Sequence, residues 1–314
     1  MKRFVGIDVG GTRIKAGLVD ENHQIVNEEV VWLEEGDKTE DGLLARLVEI
    51  ARKVQDKHDV VSVGLGVPGV VHHRNGSVLR SPNFAAFSDF RIKERLEPLL
   101  GEKVLLDNDA NCVVAGEFLH GQVAQSLAAK GSRDLIGFTM GTGVGGAIIQ
   151  HGSLWRGANG LAGELGHIVI DPQGHACGCG SRGCLEMHAS SVGLRALCTD
   201  QPVADVDTAS ADLPRLLAQK AEAGDETAQA HFATAGTAFG RALGGLSNIF
   251  EIKTVLVAGG LSPSFKWMEP AARAELARCS FHEISHDLEI VLGSLDEKAG
   301  VLGAAMQWMM APRD

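Results

Sequence analysis

The sequence contains no tyrosine, and aromatic residues make up only 5% of it. Stacking against a bound ring must therefore come from other side chains. Positive charge is also scarce, because 29 Lys and Arg stand against 40 Asp and Glu, for a formal net charge of −11. Since nucleic-acid phosphates are bound by clustered Lys and Arg, this balance argues against DNA or RNA as a partner.

Long apolar runs are missing as well. No uninterrupted run approaches the roughly 18–20 residues that span a bilayer. The first residues are basic and then apolar, but Asp8 and the glycines around it interrupt any signal-peptide core. The sequence therefore predicts a cytoplasmic protein with no membrane partner. In that setting the six cysteines are expected as thiols or metal ligands rather than disulfides.

What the chain has in excess is glycine, with 39 residues among 314, which indicates many tight turns or close backbone approaches. Its length corresponds to two domains or one large one. Strands come first and are followed by alternating helices and strands in both halves, which predicts an α/β fold. The run from Gly6 to Gly11 also resembles the run from Gly137 to Thr142, so two related lobes are expected, each opening with a glycine-turned hairpin.

Hydrophobic periodicity places the individual elements. Strands are predicted at 4–9, 14–19, 24–31, 60–67, 104–106, 135–140, 147–150, 254–258 and 288–292. Helices are predicted at 39–58, 90–100 and 110–119, within 209–249, and at about 297–310. A loop region is predicted after Pro68-Gly69, through Ser81-Pro82-Asn83.

Three cysteines fall within eight residues, at Cys177, Cys179 and Cys184, with glycines between them. Three thiolates leave one place in a tetrahedral zinc site, and His167 and His175 are the upstream candidates for it. His175 is only two residues from Cys177, whereas His167 lies on an expected strand and reaches back more easily. The alternative interpretation, coincidental buried thiols, is disfavoured because glycine-spaced cysteine clusters are rarely passive.

The glycine turns form a second pattern. Backbone N–H groups at such turns can form a nest for phosphate oxygens, although plain hairpins use the same turns. Asp8 precedes Gly10-Gly11, where a carboxylate is well placed to hold Mg²⁺ or its waters. Together with a third strand end at Gly259-Gly260, the turns favour a nucleotide site over ordinary turns.

A third pattern is the polar run from Asp107 to Asn111, between a strand and a helix. Its simplest interpretation is a helix cap, which explains one polar residue but not four. A surplus of short acids and amides suits recognition of a polyhydroxyl ligand, with one Asp left to accept a proton. Glu164 and Glu186 add carboxylates beside the proposed zinc loop.

These residues resemble the ROK sugar kinases of the actin-like ATPase superfamily. The most specific element is the stretch from Cys177 to Glu186, which fits the family signature C-x-C-G-x-x-G-C-x-E at every fixed position. The stretch from Arg156 through Glu164 to His167 also fits the family pattern, and the resemblance runs nearly from end to end.

The resemblance implies roles for specific residues. Asp109 would be the catalytic base. The sugar would be bound by Asn83, Asn108, Asp109, Glu164, His167 and Glu186. ATP would be bound by Asp8, Gly10, Gly11, Thr12, Lys15, Thr142, Gly143, Gly259 and Gly260. A structural zinc would be held by His167, Cys177, Cys179 and Cys184.

The resemblance also implies a two-lobed, ribonuclease H-like α/β fold with the active site in the interlobe cleft. The expected domains are a small lobe at 1–118, joined by a terminal helix at about 297–314, and a large lobe at 119–296. The implied cofactors are ATP, Mg²⁺ and structural Zn²⁺, the implied partner is a hexose or hexosamine, and a homodimer is expected.

The sugar itself stays open between glucose, slightly favoured, and glucosamine, N-acetylglucosamine or N-acetylmannosamine. Many relatives carry a Trp near the position of Phe87, in a loop that lines their sugar entrance, and His188 also departs from the common pattern. His188 is expected to be structural. The rival function is a non-catalytic, sugar-sensing regulator, and the early position of Asp8 leaves no room for a preceding DNA-binding domain.

Overall fold

The computed structural model describes residues 2–310. The strands are β1 (Arg3–Val9), β2 (Arg13–Asp20), β3 (Ile25–Trp32), β4 (Ser62–Val67), β5 (Val70–His72), β6 (Ser77–Arg80), β7 (Val104–Asn108), β8 (Leu135–Met140), β9 (Val144–Gln150), β10 (Ser153–Leu154), β11 (Thr254–Ala258) and β12 (Glu289–Leu292). The helices are α1 (Glu40–Gln55), α2 (Ile92–Leu100), α3 (Asp109–His120), α4 (Gln122–Ala129), α5 (Glu186–Ala189), α6 (Ser191–Asp200), α7 (Leu213–Glu222), α8 (Glu226–Phe250), α9 (Phe265–Cys279), α10 (His282–Ser285) and α11 (Lys298–Ala305).

Most predicted elements are present, and the differences have local causes. The helical region within 209–249 is two helices, because Gly224 adopts a left-handed φ of 89° and Asp225 then caps α8 by accepting from the Ala228 N–H at 2.8 Å. The predicted loop after Pro68-Gly69 contains the β5–β6 hairpin. The last predicted helix ends at Ala305 and is followed by a 3₁₀ turn over Gln307–Met310.

The first sheet has the strand order β3-β2-β1-β4-β7. β1 and β2 form an antiparallel hairpin in which Asp8 faces Lys15. β4 runs parallel to β1 and to β7, so Asp107 and Asn108 lie at the same end of the sheet as Asp8. α1 and α2 contribute Leu47 and Leu96 to the buried core beside this sheet.

The second five-stranded sheet has the order β10-β9-β8-β11-β12. β8, β11 and β12 run parallel, and β10 pairs antiparallel with the end of β9. This order repeats that of the first sheet, with the β8–β9 turn in the place of the β1–β2 turn. The repetition agrees with the two similar glycine-turned segments in the sequence.

The chain forms two compact units. The first contains the described chain up to Arg133, Ala147–Gly163, and the described residues from Ser294 onward; the second contains Asp134–Gly146 and Glu164–Gly293. The predicted boundary at residue 118 falls inside α3, and the first unit takes in 119–133 and 147–163 besides. Positions 311–314 of the expected terminal segment lie outside the described residues.

The terminal helix α11 packs within the first unit. Leu302, Ala305 and Met306 form a buried cluster with Phe4 of β1 and Val19 of β2. The Glu117 carboxylate of α3 accepts from the Ser294 and Leu295 N–H groups, both at 2.8 Å, and so fixes the chain before α11. Across residues 2–310, no helix has both the length and the apolar character needed to cross a membrane.

Candidate functional site

The polar run from Asp107 to Asn111 spans the end of β7 and the start of α3, and it has two structural roles. Asn108 caps α3, because its side-chain oxygen accepts from the N–H groups of Ala110 at 2.8 Å and Asn111 at 3.3 Å. Its amide also donates to the Gly69 carbonyl at 3.0 Å. The cap is therefore an amide, and the neighbouring Asp109 begins the helix half-buried.

Asp107 is the buried centre of this segment, with only 3% of its side chain exposed. One carboxylate oxygen accepts from Arg156 Nε at 3.0 Å and Nη2 at 2.7 Å, and the other accepts from the Asn111 amide at 2.7 Å. Burial lowers the pKa of His73, whose Nδ1 lies 3.8 Å from Asp107. No individual role for Asp107 could be predicted from the sequence, because its partner Arg156 is 49 residues away along the chain.

The first glycine turn joins β1 to β2. The Gly10 N–H donates to the Arg13 carbonyl at 2.9 Å, and the Asn83 amide lies against Gly11. Asp8 is half-buried, and burial raises the pKa of its carboxyl while Lys15 and Arg13 oppose the shift. Lys15 also lies 3.6 Å from Glu297, immediately before α11. The predicted residues Asp8, Gly11, Lys15 and Asn83 are thus neighbours in the first unit.

Asp8 also lies directly against α11. A side chain at Gly300 would place its Cβ 2.7 Å from the Asp8 carboxylate, too close for any residue but glycine. This requirement was not visible in the sequence, because Gly300 lies in a region predicted simply as helix. The terminal helix therefore packs closely against the carboxylate that is predicted to bind Mg²⁺.

The second glycine turn follows β8. The Gly141 N–H donates to the Gly143 carbonyl at 2.9 Å and closes the turn. Gly259, with φ at 91°, packs against Met140 at the end of β8, and the Leu261 N–H donates to the Met140 carbonyl at 2.9 Å. The predicted nucleotide residues Thr142, Gly143, Gly259 and Gly260 therefore lie near one another within the second unit.

Four side chains in the second unit bring one ligand atom each to within 4.8 Å of one another: His167, Cys177, Cys179 and Cys184. Cys177 Sγ is 3.6 Å from His167 Nδ1, and Cys179 Sγ is 3.6 Å from Cys184 Sγ. Zn–S bonds of about 2.3 Å in a tetrahedron put sulfur atoms about 3.7 Å apart, so the set fits zinc. His175 is not part of this set, and its Nε2 lies 3.6 Å from Asp200.

The loop that carries the cysteines is held by its own backbone. The Ile170 N–H donates to the Gly183 carbonyl at 2.7 Å, and the Gly183 N–H donates to the His175 carbonyl at 2.8 Å. The Cys177 N–H donates to Ser181 at 2.9 Å. These bonds pair the two ends of the loop and bring the three thiols together.

The predicted sugar ligands of the second unit surround this cluster. His167 turns Nδ1 toward Cys177 and places Nε2 4.0 Å from the Glu164 carboxylate. Glu186 lies on the other side, with Oε1 3.8 Å from Cys177 Sγ. Burial lowers the pKa of His188, which is half-buried and near Asp171, as expected of a structural histidine.

The loop around Phe87 presents no aromatic ring to solvent. Phe84, Phe87 and Phe90 are buried in the core of the first unit, with Phe87 stacked on Phe84 at 4.8 Å between ring centroids. The exposed positions of this loop are the small or polar residues between the phenylalanines. Phe87 is therefore a core residue in this chain.

Comparison with known proteins gives a consistent answer. The ROK family model matches residues 4–311. A glucokinase of Thermotoga maritima is 32% identical over 316 residues, covering 96% of each chain. An N-acetylmannosamine kinase of Salmonella heidelberg is 28% identical over 305 residues, covering 96% of this chain and 97% of that one.

The fold is shared as well. The crystal structure of a ROK family glucokinase from Streptomyces griseus, in complex with glucose and AMPPNP, has a TM-score of 0.79 at 32% identity. It matches over 97% of this chain and 98% of its own. The predicted α/β fold of the actin-like ATPases is thereby confirmed. Sequence, fold and metal-ligand cluster agree that the chain belongs to the ROK family.

Proposed function

We propose that this protein is an ATP-dependent sugar kinase that transfers the γ-phosphoryl group of ATP to the 6-hydroxyl of a hexose. The observation that carries the proposal is the match over nearly the whole chain to a glucokinase whose crystal structure holds glucose and AMPPNP. Glu164 and Glu186 lie beside the four metal-ligating side chains, one of which is His167, and this arrangement adds independent support.

Asp109 is the proposed base. A sugar hydroxyl has a pKa far above 7, so the carboxylate need only orient the hydroxyl for in-line attack and accept its proton late in the transfer. Its position is supported by the two residues that precede it: Asn108 caps the helix that Asp109 begins, and Asp107 is anchored by Arg156. The sugar would be oriented by Asn83, Asn108, Glu164, His167 and Glu186.

The residues for the nucleotide are those of the glycine turns. Backbone N–H groups at Gly11, Thr12, Thr142 and Gly143 would face the phosphates, beside Gly10, whose N–H closes the first turn. Gly259 and Gly260 would lie near the nucleoside. The half-buried Asp8 carboxylate suits Mg²⁺, a hard cation that prefers oxygen ligands. When bound, Mg²⁺ neutralises charge on the transferred phosphoryl group. Lys15 adds a positive charge on the neighbouring strand.

The proposed zinc is structural. Four protein ligands leave a tetrahedral ion no open position, so it would fix the loop rather than take part in the transfer. With Nδ1 of His167 on the metal, Nε2 is held at a set angle and can bond a sugar hydroxyl. Cys177 and Cys184 are buried, in keeping with a structural metal site in the protein interior.

For the sugar, we keep glucose slightly ahead of N-acetylmannosamine, N-acetylglucosamine and glucosamine. The relatives named above include a glucokinase at 32% identity and an N-acetylmannosamine kinase at 28%, so both classes have a precedent. We also propose a cytoplasmic homodimer with no nucleic-acid partner, in keeping with the acidic net charge of −11. Light scattering coupled to gel filtration tests the dimer.

The test is sugar-dependent ADP release by the zinc-loaded protein. The sugars are glucose, glucosamine, N-acetylglucosamine, N-acetylmannosamine, mannose and fructose. Strong turnover with one sugar supports the kinase and identifies its substrate. No turnover with any of them, while a sugar still raises the melting temperature, would instead identify a sugar-sensing regulator on the same scaffold.

A further inference from the structure

The Glu186 carboxylate contacts two loops at once. Its Oε1 lies 3.8 Å from Cys177 Sγ in the metal-binding loop, and its Oε2 accepts from the Val144 N–H at 3.1 Å. It also lies against Gly143, where any side chain would collide with Oε2. The same carboxylate therefore touches the metal-binding loop and the second glycine turn.

The chain after Glu186 reinforces this connection. The Ser191 N–H donates to the Gly141 carbonyl at 2.9 Å, and the Val192 N–H donates to the Thr142 carbonyl at 3.4 Å. The Ser190 hydroxyl donates to the Glu186 carbonyl at 2.6 Å, which fixes α5 to the start of α6. The segment 186–192 is thus hydrogen-bonded to the turn 141–144 at three of its four residues.

This arrangement has a consequence for nucleotide binding. Gly141 and Gly143 make the turn conformationally permissive, so holding one backbone geometry requires bonds from outside. A carboxylate accepting an amide N–H gives a charge-assisted hydrogen bond, stronger than a neutral one. Val144 is held in this way by Glu186.

We propose that Glu186 is a positioning residue for the nucleotide's phosphate turn, in addition to its expected place beside the sugar. This inference rests on the proposed kinase function. A sugar hydroxyl that bonds to Glu186 alters the group that holds Val144, so sugar and nucleotide affinities become coupled. Because coupling free energies are reciprocal, a change in the turn must also alter sugar affinity.

The experiment measures binding of Mg²⁺-AMPPNP to the sugar-free, zinc-loaded protein by calorimetry. We expect Glu186→Ala to weaken nucleotide binding by about tenfold, a typical size for coupled sites. Glu186→Gln keeps an oxygen for the Val144 amide and should stay within about threefold of wild type. Glu164→Gln is the matched control, since it should weaken sugar binding and leave nucleotide affinity within about twofold.

The reciprocal effect, of the glycine turn on sugar affinity, is tested with Gly143→Ala, whose added methyl group displaces the Glu186 carboxylate. It should weaken sugar binding in the nucleotide-free protein by about tenfold. Zinc content and melting temperature identify any variant that fails to fold, and Gly143→Ala still decides the question if Glu186→Ala is lost.

The positioning role and the kinase function are contradicted by different outcomes. Unchanged nucleotide affinity in Glu186→Ala, or unchanged sugar affinity in Gly143→Ala, overturns the positioning role. Failure of the wild-type protein to bind Mg²⁺-AMPPNP at all, with zinc bound and the fold intact, contradicts the kinase function instead.

Discussion

The ion pair between Asp107 and Arg156 anchors the segment that carries Asp109, the proposed base. Both side chains are buried, at 3% and 10% exposure, and Asp107 also accepts from Asn111. A buried charge without its partner is strongly destabilising, whereas the intact pair satisfies both groups. The pair therefore fixes the residue before Asn108 and Asp109, although it does not itself contact a reacting group.

Asp107→Asn should lower the free energy of unfolding by about 3 kcal/mol, because it leaves the Arg156 guanidinium buried without a carboxylate. Urea unfolding at pH 7 measures the change. The control is Asp212→Asn, which removes a partner of Arg215 where both side chains are more than 60% exposed. That variant should change stability by less than about 0.5 kcal/mol, and an equal effect of both substitutions would remove the special role of the buried pair.

The sequence identified this polar segment correctly, but it did not show which of its residues has which structural role. The polar run from Asp107 to Asn111 was expected to hold one helix cap and several ligand groups. Which residue caps, and which is paired with Arg156, depends on contacts that the fold makes between distant parts of the chain. The burial of Phe87 was hidden for the same reason, since its partners Phe84 and Phe90 become a stack only when the loop folds onto the core.

Among the elements, the metal-binding loop between His167 and Glu186 is the one that we expect to need a bound ion for its order. Within residues 168–185 the structure has neither strand nor helix, and three of the four ligands lie in that stretch. Zinc binding there would contribute directly to folding, as in other small metal-held loops. This loop could be predicted from the sequence because the close spacing of the cysteines by itself indicates a shared metal site.

Cys179→Ser should therefore abolish zinc binding and lower both the melting temperature and sugar affinity. Wild-type protein should contain one zinc per chain by plasma mass spectrometry. Cys198→Ser is the matched control, because Cys198 is a buried free thiol outside the ligand set and its loss should leave the zinc in place. Fully active wild-type protein without metal would refute the structural role of zinc.

A second buried carboxylate links helices α8 and α9 through ion pairs with arginine side chains. Glu275 of α9 has 7% of its side chain exposed and accepts from Arg278 at 2.9 Å and from Arg241 of α8 at 2.9 Å. Hydrogen bonds from Arg278, then from Arg241, lower the pKa of Glu275 to about 2 against the opposing effect of burial. A folded-state pKa below the unfolded value makes Glu275 stabilising above about pH 4.5, an effect lost as pH falls toward 2.

Glu275→Gln should lower the free energy of unfolding at pH 7 by about 1–2 kcal/mol, a modest value because both arginines are largely exposed. The difference from wild type should shrink as the pH is lowered below about 4.5. Urea unfolding between pH 7 and pH 3.5 measures it. Glu222→Gln, which removes an exposed partner of Lys266, should have almost the same free energy of unfolding as wild type at any pH. If the difference in free energy of unfolding between Glu275→Gln and wild type grew as the pH fell, the lowered pKa of Glu275 would be contradicted.

Elements with strong apolar runs were predictable, and short or interrupted ones were not. β8 and β11 have the predicted bounds because buried strands in parallel sheets are continuous apolar runs. The β5 and β6 strands have only three and four residues, too few for a pattern to emerge from the surrounding turns. α9 was not predicted, and Pro270 inside it weakens the local helical signal.

For the whole molecule, the repeated sheet order is the feature that organises the predicted chemistry. Each of the two sheets has a glycine turn after its central strand, at Gly10-Gly11 after β1 and at Gly141 after β8. The sequence revealed this repetition through one pair of similar segments. It could not reveal that the first unit also includes Ala147–Gly163, because this association joins segments far apart in the chain.

The most direct measurement is identification of the product by ³¹P NMR after incubation with Mg²⁺-ATP and the sugar that gives the highest turnover. Wild-type protein should form ADP and a hexose 6-phosphate in equal amounts. Asp109→Asn, with zinc content and melting temperature unchanged, should form product at least about 100-fold more slowly because it lacks the base. ADP without a sugar phosphate, a phosphate on another hydroxyl, or near-normal turnover in Asp109→Asn would contradict the proposed reaction and its base.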